Sequence, residues 1–401
     1  MNRRALLKAG GLAMAGFAWP ACRTGNGGSV STGPQRPPLR LAVPRISWDR
    51  VLRTTVGLRP HRDSGFVLRA ERLDAKTIIH NYGHGGSGMS IGWGCGIVVA
   101  EFAAQTGERR VAVVGCGSPG LTAARQLQQR GFDVTIYAKT VPPDTTSNMS
   151  LAGFTPTTAL INKDKRTAVW DAQFARITEL SYRQLQLMVS PAYGVYWMDA
   201  FNGSDTPTPP QGGGRGGDAA AATESELLPE YLRPGHAREL LGPGEHPFPT
   251  KYAFRSTALS IEPNVYLDAL VRDFQMAGGR IVIRTFETPR DLMSLAESVI
   301  VNCTGLGSYS LFDDKELVPI KGQLTVVVPQ PEVNYRASGR LPDAPAGGAA
   351  ASINPRGDGI VVGNLQDRGN WSLEPDEDVR QRNMAAAIAY FSAMRPTKER
   401  R

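Results

Sequence analysis

The sequence predicts an α/β fold built around a Rossmann-like nucleotide-binding domain, and two segments predict it. The first is an apolar strand, Val111-Ala112-Val113-Val114, running into Gly115-Cys116-Gly117-Ser118-Pro119-Gly120 and a helical stretch to residue 130. A second strand follows at Phe132-Asp133-Val134-Thr135-Ile136-Tyr137. A G-x-G-x-x-G loop set between a buried strand and a helix is the opening β-α-β of a dinucleotide site. Gly115 suits the tight turn, Gly117 close approach of backbone to a pyrophosphate, and Gly120 close helix–strand packing. The helix N-terminus offers unpaired N–H groups to phosphates. The second segment is Ser298-Val299-Ile300-Val301-Asn302-Cys303-Thr304-Gly305, a buried strand ending in a glycine turn.

The chain has 401 residues, 41% hydrophobic and 20% charged, enough for two packed domains or one large two-part enzyme. The net charge is +8, but Lys and Arg are scattered and form no long block, so nucleic acid is not expected as a partner. An anionic substrate or cofactor accounts for the basic surplus. Asn2-Arg3-Arg4-Ala5-Leu6-Leu7-Lys8 resembles a twin-arginine export signal. The apolar run after it, residues 9–21, is shorter than the ~20 residues that span a bilayer. Residues 1–22 therefore read as a cleaved signal, and the protein as exported, periplasmic or extracytoplasmic. Cys22 follows Ala21 and is a candidate for lipid attachment to a membrane, although Trp19-Pro20 departs from the usual small lead-in. Residues 23–42 form a flexible linker. Cys95, Cys116 and Cys303 have no paired spacing, so no metal site is expected and they read as small packing residues.

Along the ordered part, residues 51–58 and 65–70 read as strands, with Arg59-Pro60 between them. Thr77-Ile78-Ile79-His80 is a short apolar strand opening the stretch His80-Asn81-Tyr82-Gly83-His84-Gly85-Gly86-Ser87-Gly88. Residues 91–104 are helical, and a short link, 105–110, leads to the glycine-loop strand. Ala138-Lys139 stand where an acidic residue would bind ribose hydroxyls; that weakens an NAD reading, and Lys139 keeps an NADP-dependent reductase as an alternative. Residues 202–226, rich in Gly, Pro and Ala, read as a mobile insertion, and 338–351 as irregular. A helix from 262 to 276 is stopped by Gly278-Gly279 and followed by a strand, Arg280-Ile281-Val282-Ile283.

Several motifs together resemble the D-amino acid oxidase family. They are His80 to Gly88, the glycine loop, Thr145-Thr146-Ser147 with Ala152-Gly153, Val299 to Gly305, Lys321-Gly322-Gln323, and Gly363 with Gly369-Asn370-Trp371-Ser372. The resemblance implies an FAD-binding Rossmann-like domain with a second, mostly antiparallel β-sheet substrate domain. In that family the glycine loop opens the chain and the His-Asn-Tyr-Gly-His-Gly-Gly stretch closes it. Here Thr55-Val56-Gly57-Leu58-Arg59-Pro60 and that stretch come first, so the order is circularly permuted, with residues 105–110 joining the old ends. The implied FAD-binding domain is 77–165 with 265–322; the substrate domain is 43–76, 166–264 and 323–401.

The resemblance also implies roles. Arg59 becomes the catalytic-site clamp for the substrate carboxylate, which a planar guanidinium holds by two parallel hydrogen bonds. Arg62 and Arg69 read as structural. The implied FAD contacts are Gly115, Gly117, Ser118, Gly120, Ala138, Lys139, Thr145, Thr146, Ser147, Gly153, Thr304, Gly305, Gly322 and Gln323, with Gly85, Gly86, Ser87, Gly88, Met89 and Ser90 capping the flavin ring. His80 and His84 read as loop-structuring residues; no side-chain base is required. The implied reaction takes a hydride from the substrate α-carbon to flavin N5, hydrolyses the imino acid to 2-oxo acid and ammonia, and returns the electrons to O2 or another acceptor. Two departures stand out. Ser352 or its neighbours stand where the family has an aromatic, with Tyr335 nearest but wrongly spaced, and Thr155 stands where glutamine is frequent. A non-catalytic flavin-binding protein is therefore the second reading.

Overall fold

The computed structural model describes residues 39–151, 153–208, 223–233, 236–345, 348–363 and 365–395. The expected export signal, Cys22, most of the linker and the centre of the 202–226 insertion lie outside the described residues. Two sheets organise the rest. The larger contains β1 (Val51–Arg62), β6 (Val195–Ser204), β7 (Glu239–Leu241), β8 (Tyr252–Ile261), β11 (Leu317–Val327), β12 (Tyr335–Gly339), β13 (Ala351–Arg356), β14 (Gly359–Val362) and β15 (Asp367–Arg368). Its order is β1-β11-β14-β13-β12-β6-β8-β7, with β15 on β11. Every pairing is antiparallel except β12 with β6.

The smaller sheet contains β2 (Val67–Leu73), β3 (Lys76–Tyr82), β4 (Arg110–Val114), β5 (Asp133–Ala138), β9 (Arg280–Ile283) and β10 (Val299–Asn302), in the order β2-β3-β10-β4-β5-β9. All its pairings are parallel except the β2–β3 hairpin. Parallel strands are covered on both faces, which explains their unbroken apolar runs: Ile78, Ile79, Val111 to Val113 and Val299 to Val301 are buried. The strand that ends in the glycine turn, β10, returns beside β4.

The structure corrects three expectations about elements. β1 does not break at Arg59-Pro60 but runs through to Arg62. It is an edge strand, and Pro60 faces Pro319 across the ladder, so at that position neither strand has a donor to lose. The hairpin places Val67–Leu73 in the parallel sheet, ahead of the expected boundary at residue 77; likewise β11 places 317–322 in the antiparallel sheet. The insertion is anchored at both described ends. Residues 202–204 belong to β6, and Glu224 is buried, its Oε1 accepting from the Ile161 N–H at 3.0 Å.

Helix α1 (Gly88–Ala104) is apolar nearly all round because it is enclosed. Its small residues set how closely it packs. A Cβ on Gly96 would meet the Thr122 carbonyl oxygen of α2 (Ser118–Gln128) at 2.8 Å, and one on Gly94 would fall on Ile177 of α3 (Ala168–Leu187). The Gly94 N–H donates to Ser181 Oγ at 2.7 Å. Helix α4 (Pro263–Met276) packs on α2, and α5 (Glu377–Ser392) covers one face of the large sheet with Met384, Ala387, Tyr390 and Phe391. The other face of that sheet is left for the site.

Candidate functional site

A cavity of about 480 Å3 opens where the carboxyl ends of β3, β4, β5 and β10 meet β1 and β11 of the large sheet. Ligands of parallel α/β sheets bind in such a crevice, and the volume is that of a small-molecule site.

The glycine loop forms one wall. Gly115 has φ +117°, and a Cβ there would fall on the Cys303 carbonyl oxygen, so the loop after β4 and the turn after β10 meet only because the side chain is absent. A Cβ on Gly120 would strike the Gly115 carbonyl oxygen, which fixes how closely α2 approaches its strand. Ser147 Oγ accepts from the Ser118 N–H at 3.0 Å and stands 3.1 Å from the place of a Gly117 Cβ, tying the loop after β5 to the start of α2.

At the other end stands Arg59, held among glycines. A Cβ on Gly86 would come 2.8 Å from Arg59 Cδ, and one on Gly322 would come 2.7 Å from Nη2. Nη1 donates to the Leu365 carbonyl oxygen at 3.4 Å. Burial lowers the Arg59 pKa, yet a guanidinium stays cationic at neutral pH. The arrangement is a half-buried cation at the cavity wall, suited to hold a carboxylate.

Of the two histidines in the His80 to Gly88 stretch, His84 lines the cavity and both pack through local contacts. His84 is buried, stacked on Phe66 at 5.9 Å and 3.6 Å from Cys95 Sγ; burial pushes its pKa down to about 4, so it is neutral. His80 Nδ1 lies 3.0 Å from Asn302 Nδ2 and its Nε2 lies 3.0 Å from Glu71 Oε1. The amide donor on one side sets the tautomer, and the ring clamps β3 to β10 and β2. Desolvation lowers the His80 pKa against the opposing pull of Glu71. Arg62 pairs with Asp314 at 2.8 Å and Glu316 at 2.7 Å, and Arg69 with Glu71 at 3.1 Å.

The cavity brings together Arg59, Gly86, Gly88, Met89, Gly115, Gly117, Ala138, Lys139, Thr145, Thr146, Ser147, Gly153, Thr304, Gly305 and Gly322. Gly85, Ser87, Ser90, Ser118, Gly120 and Gln323 do not line it. Their work is second-hand. Ser87 Oγ donates to the Pro156 carbonyl oxygen at 3.0 Å, and Ser90 Oγ accepts from the Thr155 N–H at 2.8 Å, so α1 carries the 153–158 loop. Gln323 exchanges bonds with the backbone of Asp376, the N-cap of α5. Tyr335 faces the opposite core, its Oη donating to the Ala42 carbonyl oxygen at 2.6 Å. Sequence reasoning missed Arg284, Thr285 and Phe286, which line the end beyond Ala138. Arg284 lies 4.7 Å above the Phe286 ring, and its N–H donates to the Ala138 carbonyl oxygen. Only the pairing of β9 with β5 could have signalled them. Cys95, Cys116 and Cys303 are buried free thiols.

Residues 110–401 match the model of the family described as FAD dependent oxidoreductase. The chain is 26% identical over 278 residues to a D-amino acid oxidase of Dugesia ryukyuensis, covering 67% of this chain and 73% of that one. It is 28% identical over 287 residues to a D-amino-acid oxidase of Rubrobacter xylanophilus, covering 72% and 77%. Among solved structures, glycine oxidase from Geobacillus kaustophilus is similar with a TM-score of 0.48 at 14% identity, over 73% of this chain and 81% of that one.

Proposed function

Because the chain belongs to the FAD dependent oxidoreductase family, we propose that it oxidises a D-amino acid or a related small amine-carboxylate. It is an FAD-dependent oxidoreductase of the D-amino acid oxidase type, acting on a small carboxylate with O2 or another electron acceptor. Bound FAD would supply a two-electron acceptor for the α-carbon hydride of a neutral amine, whose imine product would hydrolyse to 2-oxo acid and ammonia, with O2 or another acceptor taking the electrons on.

The residues fit that cofactor. A Cβ at Gly115 or Gly117 would crowd the loop that borders the cavity, and α2 begins at that loop. Gly88 and Met89, at the N-terminus of α1, line the cavity and favour negative charge near them.

One observation carries the substrate reading: Arg59 is fixed between Gly86 and Gly322 at the cavity wall. Its two parallel donors orient a carboxylate, which in turn fixes the α-carbon. His84 is neutral and enclosed, in keeping with a reaction whose amine is already unprotonated.

The family match begins at the first residue of β4, and the strand and helix that precede it, β3 and α1, complete the same sheet and cavity; this supports a circularly permuted order. The twin-arginine-like Arg3-Arg4 supports export, tested by fractionating cells that carry Arg3→Lys with Arg4→Lys. The test of function is the absorbance of the purified protein, followed anaerobically with a panel of D-amino acids, glycine, sarcosine and imino acids. Bleaching of the flavin is expected with at least one; an oxidised flavin throughout rules the substrate class out.

A further inference from the structure

Two arginines cross β11 in opposite directions. Ile320 of β11 pairs with Arg59 of β1 on one edge and with Arg368 of β15 on the other. Opposed residues of a ladder share a face, so Arg59 and Arg368 both stand on the cavity side of the sheet, two strand spacings or about 10 Å apart at the backbone. Arg59 extends from β1 over Gly322, and its Nη1 donates to the Leu365 carbonyl oxygen at 3.4 Å. Arg368 extends the other way, and its Nη2 donates to Asp63 Oδ1 at 2.7 Å, just beyond the end of β1. The segment 365–368 is thus tied to β1 at both of its ends, over a ladder of only two residues.

The far end of the second tie is itself held. Asp63 Oδ1 also lies 3.2 Å from Nε2 of His61, a ring buried on the same face as Arg59. The Asp63 carbonyl oxygen accepts from the Asn162 N–H at 2.8 Å. Partial burial raises the Asp63 pKa, but Arg368 and His61 outweigh it and hold the carboxyl below its usual range, so it is ionised at neutral pH. A Cβ on Gly85 would come 3.4 Å from His61 Nδ1, the Gly85 N–H donates to the Pro60 carbonyl oxygen at 2.7 Å, and the next residue, Gly86, lies against Arg59 Cδ. The contacts therefore return to Arg59 from both sides, through Leu365 at its tip and through Gly86 at its stem. Neither Asp63 nor Arg368 lines the cavity.

We propose that the Asp63–Arg368 ion pair is a latch that positions Arg59 for carboxylate binding: by fixing segment 365–368 it fixes the carbonyl oxygen that aims the guanidinium. This rests on the reading of Arg59 as the carboxylate clamp. The pair acts through Arg59 and touches no substrate. The competing account is an ordinary surface ion pair, since Arg368 is 46% and Asp63 29% exposed, and such pairs contribute little to global stability. A latch has a different signature, because its loss shows in ligand affinity rather than in Tm.

The experiment uses the FAD-loaded protein and follows flavin absorbance during titration with butyrate, beside turnover of the D-amino acid that bleaches the flavin. Arg368→Gln and Asp63→Asn are each expected to raise the butyrate Kd and the KM about three- to fivefold, the most that a half-exposed pair supplies. FAD content stays unchanged and Tm moves by no more than about 2 °C. The double variant binds butyrate no more weakly than either single one, since both remove the same bond. Arg368→Lys, which keeps the charge, recovers part of the loss. Arg176→Gln, which breaks the exposed pair with Glu101 elsewhere on the surface, leaves the Kd unchanged. Equal Kd values in the unaltered protein and the two single variants, additive losses in the double variant, or release of FAD along with the loss of butyrate overturns the latch. If butyrate binds but no amino acid bleaches the flavin, the oxidase reading fails, while the Kd values still decide on the latch. If the unaltered protein and Arg59→Ala bind butyrate equally, the clamp reading fails and the latch falls with it.

Discussion

Gly322 lies directly against Arg59: a Cβ on it would stand 2.7 Å from Nη2 and 3.0 Å from Cζ. Gly322 is in a regular strand, opposite Gly57, so an added methyl group brings no left-handed strain. Gly322→Ala therefore meets the guanidinium first. Since misplacing a positioning group by about 1 Å costs up to about 100-fold, the variant is expected to lower kcat/KM by about 10- to 100-fold while keeping a full complement of FAD. The ratio of flavin absorbance to protein absorbance, measured with turnover, checks this. Unchanged turnover would place the substrate carboxylate elsewhere.

Arg59 itself separates a point charge from a fork. Arg59→Ala removes both donors; carboxylate affinity is expected to fall by at least about 100-fold, with FAD retained. Arg59→Lys keeps the charge without the planar pair, so part of the affinity remains but the α-carbon is less well oriented. Its loss is expected in kcat as well as in KM. Equal values for the Lys variant and the unaltered protein would remove the bidentate argument.

The strong local signals, such as the glycine loop after β4, were legible because each glycine has a local reason: the Gly115 and Gly120 positions are filled by backbone oxygens. The identity of the large sheet's cavity face was not legible, since it depends on which strands pair. Nothing in the sequence marks Gly57 and Gly322 as partners until β1 is paired with β11, which brings both to the cavity wall. Gln323 shows the reverse error. It adjoins Gly322 in a motif, but alternation turns it to the other side of β11, where it holds the start of α5. A motif indicates which residues travel together; the pleat decides which of them face the ligand.

His84 gives a pH dependence of stability. Its folded pKa, about 4, lies below its ordinary value of 6.5 because burial disfavours the charged ring. Above pH 6.5 both folded and unfolded chains hold it neutral, and its protonation costs nothing. As pH falls from 6.5 toward 4 the unfolded chain takes up the proton first, and stability is lost, by at most about 3 kcal/mol. His84→Asn is expected to have a shallower fall in Tm across that window than the unaltered protein. Parallel Tm curves between pH 7 and pH 4 would show that His84 is not the group responsible.

The proposed permutation makes a prediction about the chain ends. Tyr335 Oη donates to the Ala42 carbonyl oxygen at 2.6 Å and lies 4.0 Å from Met394 Sδ, so the start and the end of the described chain meet at one side chain. Ile46 and Met394 belong to the same buried cluster, and the Arg395 N–H donates to the Pro247 carbonyl oxygen. A short Gly-Ser linker from residue 395 to residue 39 would close that gap at little entropic cost. The link between α1 and β4 is short and has exposed residues, Gln105, Glu108 and Arg109 among them, the kind of connection at which new ends are tolerated. A chain reordered to run from 109 to 395, through the linker, and from 39 to 105 is expected to bind FAD at one equivalent and to retain turnover within a few-fold. Its Tm should change by only a few degrees, because no buried contact is cut. Insoluble or flavin-free protein would mean that the 105–109 connection is needed to seat α1 against α2, and that the present order is more than a relocation of the ends.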